Sequence, residues 1–288
     1  MRSDTSISRT PSGRGGFTLV QLLVVIGLIG LGIAFLIPTR TRCGGCSNRV
    51  KCAANLKQIG NGLMLYANEN KGMFPRTHAD FGAPVVLTSD GADDVDPFKI
   101  PPTGNKINNI PQAMFLLIRQ EDLTPAVFVC PSGTAEADTM NGLPATSRSN
   151  FTDVSKNVSY SFLNVYPTRK AVEELKYKNF ITAFSSDFAL AADISPLPID
   201  SPVWQQVKVG APRSTIIKGN SKNHDGDGQN VLYADGHADF QQTPLCGANN
   251  DNIYTADDTA NPAKGMTDIG TDPDPRHATD SVLLIHTP

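Results

Sequence analysis

The sequence predicts an α+β fold in which a long N-terminal helix packs on a C-terminal domain rich in antiparallel β-strands. Residues 17–37 form an uncharged, apolar run. Residues 48–70 repeat apolar side chains every three or four positions, and the rest of the chain alternates short β-like runs with turns. We therefore expect a helix in two halves, a membrane half and an amphipathic half.

The composition does not favour nucleic acid as a partner. The chain of 288 residues has 25 basic and 28 acidic residues, and its formal net charge is −3. Nucleic-acid binding needs a basic surface, and no basic stripe occurs outside the flanks of the apolar run. The length allows one sizeable domain plus an anchor.

The apolar run contains one amide, Gln21, and no charge over 21 residues. A helix of this length covers about 30 Å, the hydrocarbon thickness of a bilayer. A buried core helix is not expected, because such helices are rarely apolar on all sides. A secretory signal peptide is not expected either, because its apolar run is shorter and is followed by a cleavage site. We therefore expect a retained transmembrane helix over 17–37. Arginines flank both ends, so charge alone leaves its orientation open.

The segment Gly16-Phe17-Thr18-Leu19-Val20-Gln21 opens this run. It resembles the cleavage and methylation signature of type IV prepilins and type II secretion pseudopilins. The resemblance implies that a prepilin peptidase cuts between Gly16 and Phe17 and methylates Phe17. It implies a non-enzymatic, single-pass inner-membrane protein with a cytoplasmic N-terminus and its globular domain in the periplasm or at the cell surface. Other pilin-like subunits are the implied partners.

Two positions in the predicted helix bear on assembly. The resembling families normally have Glu where this chain has Gln21, and that Glu pairs with the N-terminal amine of a neighbouring subunit. Gln21 cannot neutralise the amine, which indicates either a minor or weakly polymerising subunit or a tolerated substitution. Pro38 lies where pilin helices often have a proline, which removes a helix hydrogen bond and bends the rod.

The chain then divides into a leader (1–16), the transmembrane helix (17–37), a juxtamembrane segment with the amphipathic helix (38–75) and a β-rich globular domain (76–288). The amphipathic helix is predicted to end at Gly72, a residue type common after helix ends. Its apolar face is predicted from Val50, Ala53, Leu56, Ile59, Leu63 and Ala67. The segment 52–60 resembles the second half of the pilin helix.

The five cysteines are an odd number, so they cannot all pair within one chain. Cys43 and Cys46 form a CxxC pair, which can be a redox dithiol, half of a zinc site, or an ordinary disulfide or free thiol pair. A thioredoxin-like role is not expected, because no βαβ pattern surrounds the pair. Cys52 is a candidate third zinc ligand. A structural or incidental role is favoured, and the oxidation state stays open for Cys43, Cys46, Cys52, Cys130 and Cys246.

Short elements are predicted in the globular domain. The β-like runs are 84–88, 126–130, 158–163, 188–193 and 203–209, and short helices are predicted at 112–119 and 169–177. Asp235-Gly236 predicts a two-residue hairpin with a type I′ turn. That turn pairs Val231 with Phe240 and places Tyr233 opposite Ala238.

The hairpin lies within the segment 223–240, which resembles the C-terminal motif of a group of prepilin-like proteins from planctomycete-type bacteria, the H-X9-DG domain. The motif residues are His224, Asp235 and Gly236, with ten residues between His224 and Asp235 in this chain. The resemblance gives architecture and no established activity.

Three readings of the motif region remain open. Carboxylates in a flexible loop suit calcium, and the candidate ligands are Asp225, Asp227, Asp251, Asp257 and Asp258. A histidine beside a carboxylate suits catalysis, but the sequence has no nucleophile elbow and no HExxH motif. The third reading is a structural loop, followed by an exposed acidic loop at 256–280. An alternative function is a membrane-anchored binding module for calcium or an envelope glycan.

Overall fold

The computed structural model describes residues 16, 18–36, 44–89, 91–92, 107–174, 184–198, 200–256, 275 and 280–285. The chain divides into two units, Met1–Cys43 and Gly44–Pro288. The helices are α1 (Leu19–Leu36), α2 (Gly44–Glu69), α3 (Ile110–Gln120), α4 (Val154–Asn157), α5 (Arg169–Glu173) and α6 (Arg213–Ile216). The strands are β1 (Tyr160–Leu163), β2 (Ala189–Asp193), β3 (Gln229–Tyr233), β4 (Ala238–Gln241) and β5 (Leu283–Leu284).

The predicted fold class is wrong in its N-terminal helix. The described residues form two separate helices, α1 with 18 residues and α2 with 26, in place of one long pilin-like helix. Within the described ranges, neither is both long and apolar enough to cross a bilayer. The 18 residues of α1 rise about 27 Å, against about 30 Å of hydrocarbon.

α1 begins with a capping box. The backbone N–H of Gln21 donates to Oγ1 of Thr18 at 3.3 Å, and the backbone N–H of Thr18 donates to Oε1 of Gln21 at 3.1 Å. These two bonds satisfy donors that a helix N-terminus otherwise leaves without partners. Gln21 therefore has a local role in starting α1, which the sequence prediction did not include.

The second unit is built on a five-stranded sheet in the order β4-β3-β2-β1-β5, with every neighbouring pair antiparallel. α2 packs closely against β3. A Cβ atom added at Gly60 would lie 2.8 Å from Cδ1 of Leu232, so the helix backbone approaches the strand where a glycine leaves room.

The amphipathic half of the prediction corresponds to α2, and Leu56, Ile59, Leu63 and Ala67 of the predicted apolar face are buried. Val50 is 70% exposed, although it was predicted on the apolar face. The helix α2 begins at Gly44. Lys71, with φ 58°, is the first left-handed residue after the helix, and the N–H of Gly72 donates to the Ala67 carbonyl at 2.7 Å. The buried residues of α2 are Cys52, Leu56, Ile59, Gly60, Gly62, Leu63, Tyr66 and Ala67.

Some of the short elements match their predictions and others do not. β1, β2 and α3 lie at the predicted positions. The predicted strands at 126–130 and 203–209 are wrong, because 3-10 turns occupy Pro125–Phe128 and Pro202–Gln206. Each of these 3-10 segments begins with a proline. The fixed φ of proline and its missing N–H favour the start of a helical turn over a strand.

The predicted register of the hairpin is wrong by one residue. Leu232 pairs with Ala238 and Asn230 pairs with Phe240. Only Gly236 of the turn has positive φ, at 86°, and its N–H donates to the Tyr233 carbonyl at 2.9 Å. The connection is therefore a three-residue loop with a left-handed glycine, and it places Phe240 on the face of Asn230.

Candidate functional site

His224 of the motif points into the interior of the second unit. It ends the 3-10 turn Lys222–His224, which is capped by Ser221 accepting a hydrogen bond from the Asn223 N–H. Asp225 then adopts a left-handed conformation with φ 58° and lies in solvent. This local geometry buries His224 to 3% exposure and leaves the following carboxylates outside.

Asp193, at the end of β2, is the partner of His224 and has no exposed surface. Oδ2 accepts from the Asn230 N–H at 2.7 Å and from Asn230 Nδ2 at 3.1 Å. Oδ1 accepts from Asn223 Nδ2 at 3.3 Å, and His224 Nε2 lies 3.0 Å from Oδ2. Because a buried carboxylate is costly without such donors, the four contacts hold β2, β3 and the motif turn together.

His224 Nε2 lies 3.0 Å from Asp193 Oδ2 and also 3.0 Å from the side-chain Nδ2 of Asn230. The proton is assigned to Nε2, because a bare ring nitrogen would repel the carboxylate oxygen. Nδ1 has no hydrogen-bond partner in the part of the chain that the structure describes.

A disulfide between Cys52 and Cys130 lies against this pair. Both cysteines have no exposed surface, and Cys130 Sγ is 3.7 Å from His224 Nε2. The ligand atoms of the four side chains all lie within 4.8 Å of one another. We call this group the buried centre; its members are Cys52, Cys130, Asp193 and His224.

The disulfide settles the state of two of the five cysteines. Cys246 is a free thiol, and burial raises its pKa to about 12, so it stays protonated at neutral pH and is a poor nucleophile. Cys43 and the side chain of Cys46 lie outside the described residues. Cys52 was a candidate zinc ligand beside the CxxC pair, and the structure places it with Cys130 instead.

Two buried tyrosines, Tyr160 and Tyr254, lie near Asp193. The Tyr254 hydroxyl donates to the Asp193 carbonyl at 2.6 Å. Burial raises the pKa of both Tyr160 and Tyr254, and the nearby Asp193 charge raises it further. Both phenols therefore stay neutral; Tyr254 donates a hydrogen bond, whereas the Tyr160 hydroxyl is buried without a hydrogen-bond partner among the described residues.

An aromatic ring covers His224 on the outer side. The Phe240 ring meets His224 edge-on with the centroids 5.7 Å apart, and the Arg49 guanidinium lies 4.3 Å from the Phe240 centroid. Arg49 also pairs with Asp227. α2 and the motif loop thus meet over the ring, and the one-residue register shift is what puts Phe240 there.

The candidate calcium ligands are not brought together by the described residues. Asp227 pairs with Arg49, and Asp251 is buried with Oδ2 accepting from the Ser281 N–H at 2.8 Å. Asp257 and Asp258 lie outside the described residues, as does most of the acidic loop. Among the described side chains, the group able to hold a metal ion is the buried centre. Calcium binding stays a prediction.

The remaining predicted residues occupy separate places. Asp235 lies on the surface, where hydrogen bonds from the backbone and ring of His237 lower the pKa of its carboxyl. Gly236 supplies the left-handed turn position. Gly16 is described and exposed, whereas Phe17 and Pro38 lie outside the described residues.

The sequence prediction missed Asp193 and Asn230, two residues on which the buried centre depends. Asp193 ends a strand that was predicted, and a carboxylate ending an otherwise apolar, buried run is the signal that could have identified it. The pairing of Cys52 with Cys130 has no local signal, because 78 positions separate them.

The buried centre is suited to holding the fold and not to turning over a substrate. Its four side chains are each at most 3% exposed, so a substrate cannot reach them in this conformation. A catalytic base must lie within hydrogen-bond reach of the group it deprotonates. Comparison of the chain with protein families, with curated proteins and with solved structures finds no match.

The two His–Asp pairs of the motif region should differ sharply in their contribution to stability. His224→Ala leaves Asp193 buried with one donor fewer and should lower the free energy of unfolding by about 3–5 kcal/mol. His237→Ala removes an exposed pair and should cost less than about 1 kcal/mol. Urea denaturation followed by the fluorescence of the single tryptophan, the buried Trp204, measures both. Equal losses would contradict the assigned roles.

Two glycines of the motif loop provide a second matched test. A Cβ at Gly228 would lie 2.1 Å from the Gln241 carbonyl oxygen, whereas a Cβ at Gly226 meets nothing within 4 Å. Gly228→Ala should therefore destabilise by about 3 kcal/mol. Gly226→Ala should cost only about 1 kcal/mol, from its positive φ. The same urea experiment measures both, and a Gly228→Ala variant as stable as the parent would show that the loop does not approach β4 as described.

Proposed function

We propose that this protein is a prepilin-like envelope protein, a minor subunit of a type II secretion or type IV pilus-like assembly or an accessory to one. In this proposal a prepilin peptidase removes residues 1–16, and the apolar segment 17–37 holds the protein at the inner membrane with its N-terminus in the cytoplasm. The second unit is then presented in the periplasm or at the cell surface, where it contacts other pilin-like subunits.

The main support for the proposal is the exposed surface of α1, which follows Gly16 in the sequence. Its ten large aliphatic side chains from Leu19 to Leu31 are 42–77% exposed. Soluble proteins rarely leave a contiguous apolar surface of this kind in water, and such surfaces usually meet a membrane or another protein. The prepilin-like signature in the same segment supports both kinds of contact.

The capping box supports the proposal of a minor subunit. In the resembling families a carboxylate at the position of Gln21 pairs with the N-terminal amine of a neighbour. Here the Gln21 amide accepts from the Thr18 N–H within its own helix. It has no charge with which to attract an amine, so strong filament growth through this contact is not expected.

The second unit supports a binding or structural role over an enzymatic one. The buried centre contains a disulfide and lies in the interior. The free thiol of Cys246 stays protonated at neutral pH because burial raises its pKa. A cross-linked, closed domain suits a protein that presents a surface outside the cytoplasm, where disulfides persist.

Mass spectrometry of the mature N-terminus tests the processing step. Expressed with an active prepilin peptidase, the protein should begin at a methylated Phe17, and Gly16→Val should keep the leader because a branched side chain blocks the cleavage position. Gly27→Ala, which alters another exposed glycine of this segment, is the matched control and should be cleaved. A leader retained on the unaltered protein, while a known prepilin is cleaved in the same cells, would refute the proposal.

A further inference from the structure

We propose that the reduced protein binds one zinc ion at the buried centre. In the oxidised protein a disulfide links two of the four side chains, and in the reduced protein one zinc ion would bind all four. The inference is independent of the envelope function, because it depends only on side chains of the second unit.

The donor set consists of ligand types that zinc takes. Once the disulfide is open, the buried centre offers two sulfurs, one imidazole nitrogen and one carboxylate oxygen. Zinc takes four ligands of these types, whereas calcium and magnesium take oxygen ligands. Two thiolates and a carboxylate around Zn²⁺ leave a net charge of about −1, as in a Cys₃His site. Asn223 and Asn230 already donate to the Asp193 carboxylate and would offset that charge.

The four ligand atoms, all within 4.8 Å of one another, lie near the spacing of a tetrahedral site. Zinc bonds of about 2.3 Å to sulfur and about 2.0 Å to nitrogen and oxygen place neighbouring ligand atoms about 3.3–3.8 Å apart. Cys130 Sγ is 3.7 Å from His224 Nε2, and that nitrogen is 3.0 Å from Asp193 Oδ2. The two sulfurs must separate to about 3.8 Å once the disulfide is open.

Reduction leaves the nitrogen and oxygen ligands in place. Asp193 is held by the donors of Asn223 and Asn230, neither of which involves the disulfide. α2 keeps Cys52 beside the sheet through its own packing, at Gly60 against Leu232 among other contacts. A preformed set of ligands lowers the entropy that metal binding must overcome.

The disulfide must be reduced before zinc can bind. A dithiol reductant gives two electrons and two protons to the Cys52–Cys130 disulfide, becoming a disulfide itself, and two thiols result. Zinc then displaces both thiol protons to solvent and binds the thiolates. His224 shifts its proton from Nε2 to Nδ1, an atom without a partner among the described residues, and binds through Nε2.

Cobalt titration of the full chain tests the inference. The chain carries Cys43→Ser, Cys46→Ser and Cys246→Ser, so that Cys52 and Cys130 are the thiols that remain, and it is reduced with a phosphine. One equivalent of Co²⁺ should produce the thiolate charge-transfer and tetrahedral d–d bands, and Zn²⁺ should abolish them. The oxidised form of the same chain is the matched control and should give no such bands.

Ligand variants in that chain separate the buried centre from incidental binding. Cys130→Ser should weaken Co²⁺ binding at least about a hundredfold, while Asp235→Asn, at an exposed carboxylate outside the centre, should leave it unchanged. Unchanged affinity in Cys130→Ser, or a reduced parent without the bands, would overturn the inference. If Trp204 fluorescence shows that reduction unfolds the chain, Zn²⁺ should restore the native signal. A reduced chain that stays unfolded with Zn²⁺ would also overturn the inference.

Discussion

The carboxylate of Asp193 is buried at the centre of the second unit, and neighbouring residues donate hydrogen bonds that offset the free-energy cost of its desolvation. Asp193 has no exposed surface and accepts hydrogen bonds from β3 and from the motif turn. An ionised carboxylate without such donors would cost several kcal/mol. The two oxygens of Asp193 thus join β2, β3 and the motif turn at one point.

The other contacts close this arrangement. The disulfide joins α2 to Cys130 directly beside His224, and Phe240 covers the histidine on the outer side under Arg49. The two units carry different parts of the proposed function. α1 supplies the exposed apolar surface, while the second unit supplies a domain cross-linked by a disulfide.

The sequence predicted the elements whose signals are local. The amphipathic period predicted α2, and β1, β2 and α3 lie where their apolar runs indicated. The predicted long N-terminal helix is wrong, because apolar length alone does not determine where a helix ends. The hairpin register is wrong, because the Asp235 side chain bonds to the His237 N–H and leaves only Gly236 left-handed. The buried centre could not be predicted, since its members come from four distant segments and meet only in the folded chain.

Native-state hydrogen exchange of the Asn230 amide tests most directly whether Asp193 holds the second unit together. This N–H donates to Asp193 Oδ2 at 2.7 Å and is buried. If the carboxylate is the constraint described, the amide exchanges only through global unfolding, with a free energy equal to that from urea denaturation. An Asn230 amide that exchanges through local opening, several kcal/mol below the global value, would contradict the account.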